Sequence, residues 1–155
     1  MNKDVAKGSS KSAVGDYKLL LRKASCCAEA MTATMPTKPQ LLQTRLITHA
    51  STILNISSKL PKTQQANHVS RQLVRSGTAA AANYGEARGA ESRSDFIHKL
   101  RVVLKELNET TVWLQLILEN AMLSAEQVTP IVAENEELCR IIAASIKTTG
   151  GFDRG

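Results

Sequence analysis

The sequence predicts an all-α protein, an up-down-up-down antiparallel four-helix bundle. Apolar residues recur at steps of three and four through most of the chain, and nothing shows the strict alternation of a half-buried strand. The breaks between periodic segments are only two to four residues long, which makes consecutive helices antiparallel neighbours. A chain of 155 residues fits one such domain and buries enough surface to fold without staples.

Residues 1–38 form a basic leader, flexible or partly helical. Its first fifteen residues are polar and aperiodic, Asp16 to Thr34 can make a short helix, and Pro36 and Pro39 mark a break. Met31 and Met35 leave open that the leader reflects an upstream start. The bundle spans residues 39–147, and residues 148–155 read as a disordered tail.

The first helix is expected from about Pro39 to Leu60, with Leu42, Leu46, Ala50, Ile53 and Leu60 on one stripe and Pro61 as the stop. A second runs from about Thr63 to Arg88 and ends at Gly89. The third, Ser92 to Met122, is the clearest. Phe96, Leu100, Val103, Leu107, Thr110, Leu114, Ile117 and Ala121 alternate steps of four and three. The fourth opens on the capping box Ser124-Ala-Glu-Gln127, meets a helix-disrupting proline at Pro130, and places Asn135 at a core step as a register device.

The charge is uneven. The formal net charge is +6, and residues 1–38 carry seven Lys or Arg against three Asp or Glu. Within the bundle, residues 39–105 hold ten basic and three acidic side chains, whereas 106–147 hold two and seven. Arg71, Arg75, Arg88, Arg93, Lys99, Arg101 and Lys105 gather on the second helix and the first half of the third, making them the candidate nucleic-acid contacts. Few aromatic side chains are free to stack on bases.

Catalytic signals are lacking. No P-loop, G-x-G-x-x-G or G-x-S-x-G is present, and a di-iron centre needs two E-x-x-H motifs where this chain has one D-x-x-H, at Asp95 and His98. His49, His68 and His98 fall at different heights and read as structural, so neither metal nor cofactor is expected. Three cysteines without pattern, Cys26, Cys27 and Cys139, fit a reducing cytoplasm, and the longest apolar run is far too short to span a membrane.

A second line on the third helix, Asp95, Lys99, Val102, Glu106, Glu109, Trp113, Leu116 and Asn120, predicts a self-association face rimmed by both charge signs. The basic and acidic halves suit a head-to-tail contact. The stretch SGTAAAANYGEARG, Ser76 to Gly89, reads as a helix thinned at Ala79, Ala80 and Ala82 so that another helix comes close, with Asn83 and Glu86 as polar fasteners. Arg75 is expected to pair with Glu106 or Glu109, and Glu86 with Arg93 or an adjoining subunit.

The segment from Arg71 to Leu118 resembles the four helix bundle proteins, or 23S rRNA intervening-sequence proteins. The resemblance rests on Arg75-Ser76, on Asn83 and Glu86, on Phe96, Leu100 and Glu106, and on the KELNET stretch from Lys105 to Thr110 followed by Trp113. It covers about residues 40–147. It implies a bacterial homo-oligomer, a homopentameric ring, of mostly unassigned function. The family is similar to the accessory protein of diversity-generating retroelements, which binds nucleic acid and a reverse transcriptase. The long leader and Pro130 depart from the pattern. Two readings follow: a non-catalytic oligomeric bundle acting as an RNA- or DNA-associated accessory or scaffold, or a protein–protein adaptor ring without a nucleic-acid role.

Overall fold

The computed structural model describes residues 35–150. The expected leader helix, Cys26, Cys27 and the last five residues lie outside them. Four helices follow in order: α1 Lys38–Ser57, α2 Gln64–Arg88, α3 Arg93–Glu119 and α4 Ala125–Gly150. Each packs on its chain neighbours and α1 closes on α4, so α1 stands diagonally from α3.

Short polar side chains set the helix starts. Thr63 Oγ1 accepts from the Ala66 amide at 3.2 Å and Ser92 Oγ from the Asp95 amide at 3.1 Å, satisfying donors that have no partner within the helix. At α1 the Thr37 amide donates to Gln40 Oε1 at 2.7 Å. At α4 the expected Ser124–Gln127 pair forms, but the serine hydroxyl donates to Gln127 Oε1 at 3.1 Å.

Three boundaries differ from the sequence expectation. α1 stops at Ser57, because the Ser57 and Ser58 hydroxyls take the Leu54 and Asn55 carbonyls, each at 2.8 Å. α3 stops at Glu119. The Met122 amide reaches back to the Ile117 carbonyl and the Ala121 amide to that of Leu118, both at 3.0 Å, and Ala121 takes the left-handed conformation with φ 47°. Ala121 is therefore an exposed cap residue, not the end of the core stripe. α4 continues through Pro130 to Gly150, past the expected fraying point at Thr148. Pro130 is the sixth residue of α4, so its missing donor leaves the Glu126 carbonyl without its helical partner, yet the helix runs on through it.

The core has two apolar halves. One holds Ile53, Ile56, Leu73, Leu114, Ile117, Val128 and Ile131; the other holds Leu46, Ala80, Tyr84, Leu100, Val103, Leu107, Leu138 and Ile142. Between them, one layer contains the buried polar side chains of the described residues: His49, Ser76, Thr110 and Asn135, one from each helix. Thr110 Oγ1 donates to Ser76 Oγ at 3.0 Å. Asn135 Nδ2 donates to the Leu107 carbonyl at 2.9 Å and to Thr111 Oγ1 at 2.8 Å, leaving Oδ1 to accept from His49 Nε2 at 3.0 Å. Since Asn135 Nδ2 is fixed by a carbonyl, the Nε2 of His49 carries the hydrogen.

The small-residue tract of α2 faces α1. A Cβ on Gly77 comes within 2.9 Å of Ile53 Cγ2 and 3.2 Å of Ile53 Cβ. Gly77 and Ala80 supply the clearance; Ala79 is half-buried and Ala82 is exposed. This corrects the assignment of clearance to Ala82, which is exposed.

Candidate interaction surfaces

The predicted site residues fall into three groups. The first is consumed in the seam between α2 and α3. Arg75 Nη2 pairs with Glu109 Oε1, which also accepts from Trp113 Nε1 at 3.2 Å. Lys99 Nζ pairs with Glu86 Oε2 at 2.9 Å. Glu86 thus meets Lys99 rather than Arg93, because α3 brings Lys99 nearly two helical turns above its start while Arg93 Nε donates to the Thr149 carbonyl at the end of α4. Asn83 is not a fastener between helices: its Nδ2 donates to the Ala79 carbonyl of its own helix at 2.8 Å. Trp113 is half-buried and meets His68 of α2 edge-on, ring centroids 5.9 Å apart. It packs against α2 and keeps part of its surface open. Glu106 and Val102 are also half-buried, and Glu106 Oε2 is buried with no hydrogen-bond partner among the described residues.

The second group is cationic and open. Arg71, Arg88, Arg101 and Lys105 are exposed and make no ion pair among the described residues. They do not share one face. Arg101 and Lys105 follow one another on the outer ridge of α3, Arg88 lines a depression with Pro39 of α1, and Arg71 lies beside His68 and Trp113.

The third group is apolar and partly unforeseen. Leu116 is 38% exposed, as expected, but Val112 beside it reaches 52%, and Ile47 and Leu54 of α1 reach 52% and 47%. The α1 pair was legible as isolated apolar residues off the core stripe. A cleft of about 760 Å³ opens at the α1–α4 seam over Leu42, Tyr84, Phe96 and Ile141. Arg45 on its rim is held by Glu134 through two hydrogen bonds of 2.6 and 2.8 Å.

The electrostatics are structural in character. Hydrogen bonding from Trp113, then from Arg75, holds the Glu109 carboxyl below its ordinary range, and Arg45 does the same for Glu134. Burial raises the Cys139 thiol, which sits 3.7 Å from Asn108 Oδ1, the opposite of what a nucleophile needs. Burial lowers the His49 imidazole against the opposing pull of the Asn135 bond and Glu134. The unfolded chain therefore binds a proton at His49 that the folded chain refuses, and this contribution is present above the ordinary value near 6.5 and lost as pH falls toward the lower folded value. Urea midpoints of the wild type are expected to drop between about pH 7.5 and pH 5.5, while His49→Gln, which keeps a donor but does not titrate, flattens that segment. An equal drop in both proteins contradicts it. The carboxylates act in a lower window: their contribution is lost only as pH falls below about 4.5.

Among the described residues no group of three His, Cys, Asp or Glu could hold a metal ion, and no helix is long and apolar enough to cross a membrane. These features define the class: an antiparallel four-helix bundle with a polar layer through its core and its distinctive chemistry on its outer faces. The chain belongs to the 23S rRNA-intervening sequence protein family, which it matches over residues 43–144. It is similar to the crystal structure of a protein of unknown function from the S23 ribosomal protein family of Bacteroides thetaiotaomicron VPI-5482. The two are 36% identical, the match covers 68% of this chain and 98% of that one, and the TM-score is 0.65. Curated proteins give no match.

Proposed function

We propose that this chain is a non-catalytic, self-associating bundle that serves as an RNA-associated accessory or scaffold protein in the cytoplasm. The observation that carries the reading is the open cationic set. Arg101 and Lys105 stand one turn apart on an outer ridge and make no ion pair among the described residues; Glu109 feels the Lys105 charge only through space, so phosphates can approach both cations without displacing a direct ion pair. Arg88 adds charge toward the same end of the bundle. The family description concerns proteins tied by name to rRNA intervening sequences, which favours RNA over DNA as the polyanion. Exposed Val112 and Leu116 favour the second reading, a protein–protein adaptor ring.

Structured RNA titrated with the full chain separates the two. On the RNA reading, log affinity falls linearly with log salt, and Arg101→Ala with Lys105→Ala reduces the slope by about 2, roughly 0.9 per phosphate contact. The loss is similar for RNAs of different sequence, as backbone contacts require. RNA mobility that the protein leaves unchanged at low salt overturns this reading and favours the adaptor.

A further inference from the structure

α1 carries a second stripe on its outer side. Gln40, Thr44, Ile47, Ser51, Leu54 and Ser58 advance by four and three, the spacing of a helix–helix seam, and all six are exposed. None is charged, in a chain where 22% of residues are. Two of its three hydroxyls are bonded into their own helix, Thr44 to the Gln40 carbonyl at 3.1 Å and Ser58 to that of Asn55 at 2.8 Å, and the adjacent Thr48 donates to the Thr44 carbonyl at 3.0 Å. Water can leave such a face without orphaning those donors.

The diagonal corner holds the complementary patch. α1 and α3 run in the same direction, and Asn135 ties His49 to Leu107 and Thr111. Residue 49 is therefore level with residues 107–111, and Leu54, five residues on, is level with Val112 and Leu116. One chain thus bears two exposed apolar patches at one height on opposite corners. A foreign helix needs only one of them. A contact repeated from copy to copy about an axis along the bundle needs both, at equal height.

We infer that the outer stripe of α1 seats α3 of a second copy of this chain, with Leu54 against the partner subunit's Val112 and Leu116. The inference rests on the self-association proposed above and names its two faces. Lys105 and Arg101 lie about 10 and 16 Å along α3 from Val112, at 1.5 Å per residue, which leaves them clear of the patch for a polyanion.

Disulfide trapping tests it, using the full chain with Cys26, Cys27 and Cys139 replaced by serine. Samples carrying Leu54→Cys alone or Val112→Cys alone are expected to give no disulfide-linked dimer on oxidation, because each thiol faces a different side chain. An equimolar mixture, after subunit exchange, links. A linked dimer in the Leu54→Cys sample alone means that α1 pairs with itself and overturns the inference. An unlinked mixture that light scattering shows to be oligomeric overturns the pairing but leaves self-association standing, whereas a monomer overturns both. Leu54→Glu is expected to weaken assembly at least tenfold with its urea midpoint unchanged at a concentration where both proteins are monomeric; unaltered assembly contradicts the inference.

Discussion

Asn135→Leu is expected to lower the stability of the bundle by about 3 kcal/mol, because a leucine leaves buried polar groups without their partner. In the wild type one amide side chain accepts from His49 and donates to Leu107 and Thr111, joining α1, α4 and α3 within the polar layer between the two apolar halves of the core. Leucine removes all of this at once and strands the His49 Nε2 hydrogen at a site only 3% exposed. Replacing both partners, His49→Leu with Asn135→Leu, is expected to recover part of the loss, since neither is then left unsatisfied. Urea denaturation of both variants checks this; a single variant within about 0.5 kcal/mol of wild type contradicts it.

Gly77→Val is the second large effect. The Cβ alone arrives 2.9 to 3.2 Å from Ile53, and it meets the branched root of that side chain, not a flexible tip. Helix propensity favours every residue but proline over glycine, by up to about 1 kcal/mol, but overpacking a filled core costs about 1–3 kcal/mol and valine adds two further methyl groups. A net loss of about 2 kcal/mol is expected, with Gly77→Ala close to neutral because propensity and clash offset each other. Truncating the opposing side chain identifies the cause. The double variant Gly77→Val with Ile53→Ala is expected to be more stable than the sum of the single effects allows, and strict additivity removes Ile53 as the obstacle.

Much of the fold was legible because its determinants are local and periodic. The α3 stripe from Phe96 to Ile117 and the short connections define the helices and their antiparallel order, and Asn135 stood out as the one amide at a core step. Ala121 was misplaced because a periodic pattern does not register where a chain turns left-handed. His49 and Ser76 were harder to place in the polar layer. Their roles depend on which residues of distant segments arrive at the same height.

The candidate site divides along the same line. Exposed arginines could be listed from sequence, but not which of them already had partners. Arg75 and Lys99 are neutralised by carboxylates across the seam, while Arg101 and Lys105 are left open. Trp113 shows the limit of reading one helix at a time. Its position off the core line suggested an external contact, yet α2 brings His68 and the Arg75–Glu109 pair to that flank and half-buries the indole. Val112, one residue away, is 52% exposed.

The central claim is that this bundle associates with itself through its outer faces, and mass in solution tests it most directly. Light scattering of the full chain at tens of micromolar is predicted to give a whole multiple of 16.8 kDa, two copies or more. A mass of a single chain at that concentration contradicts the account.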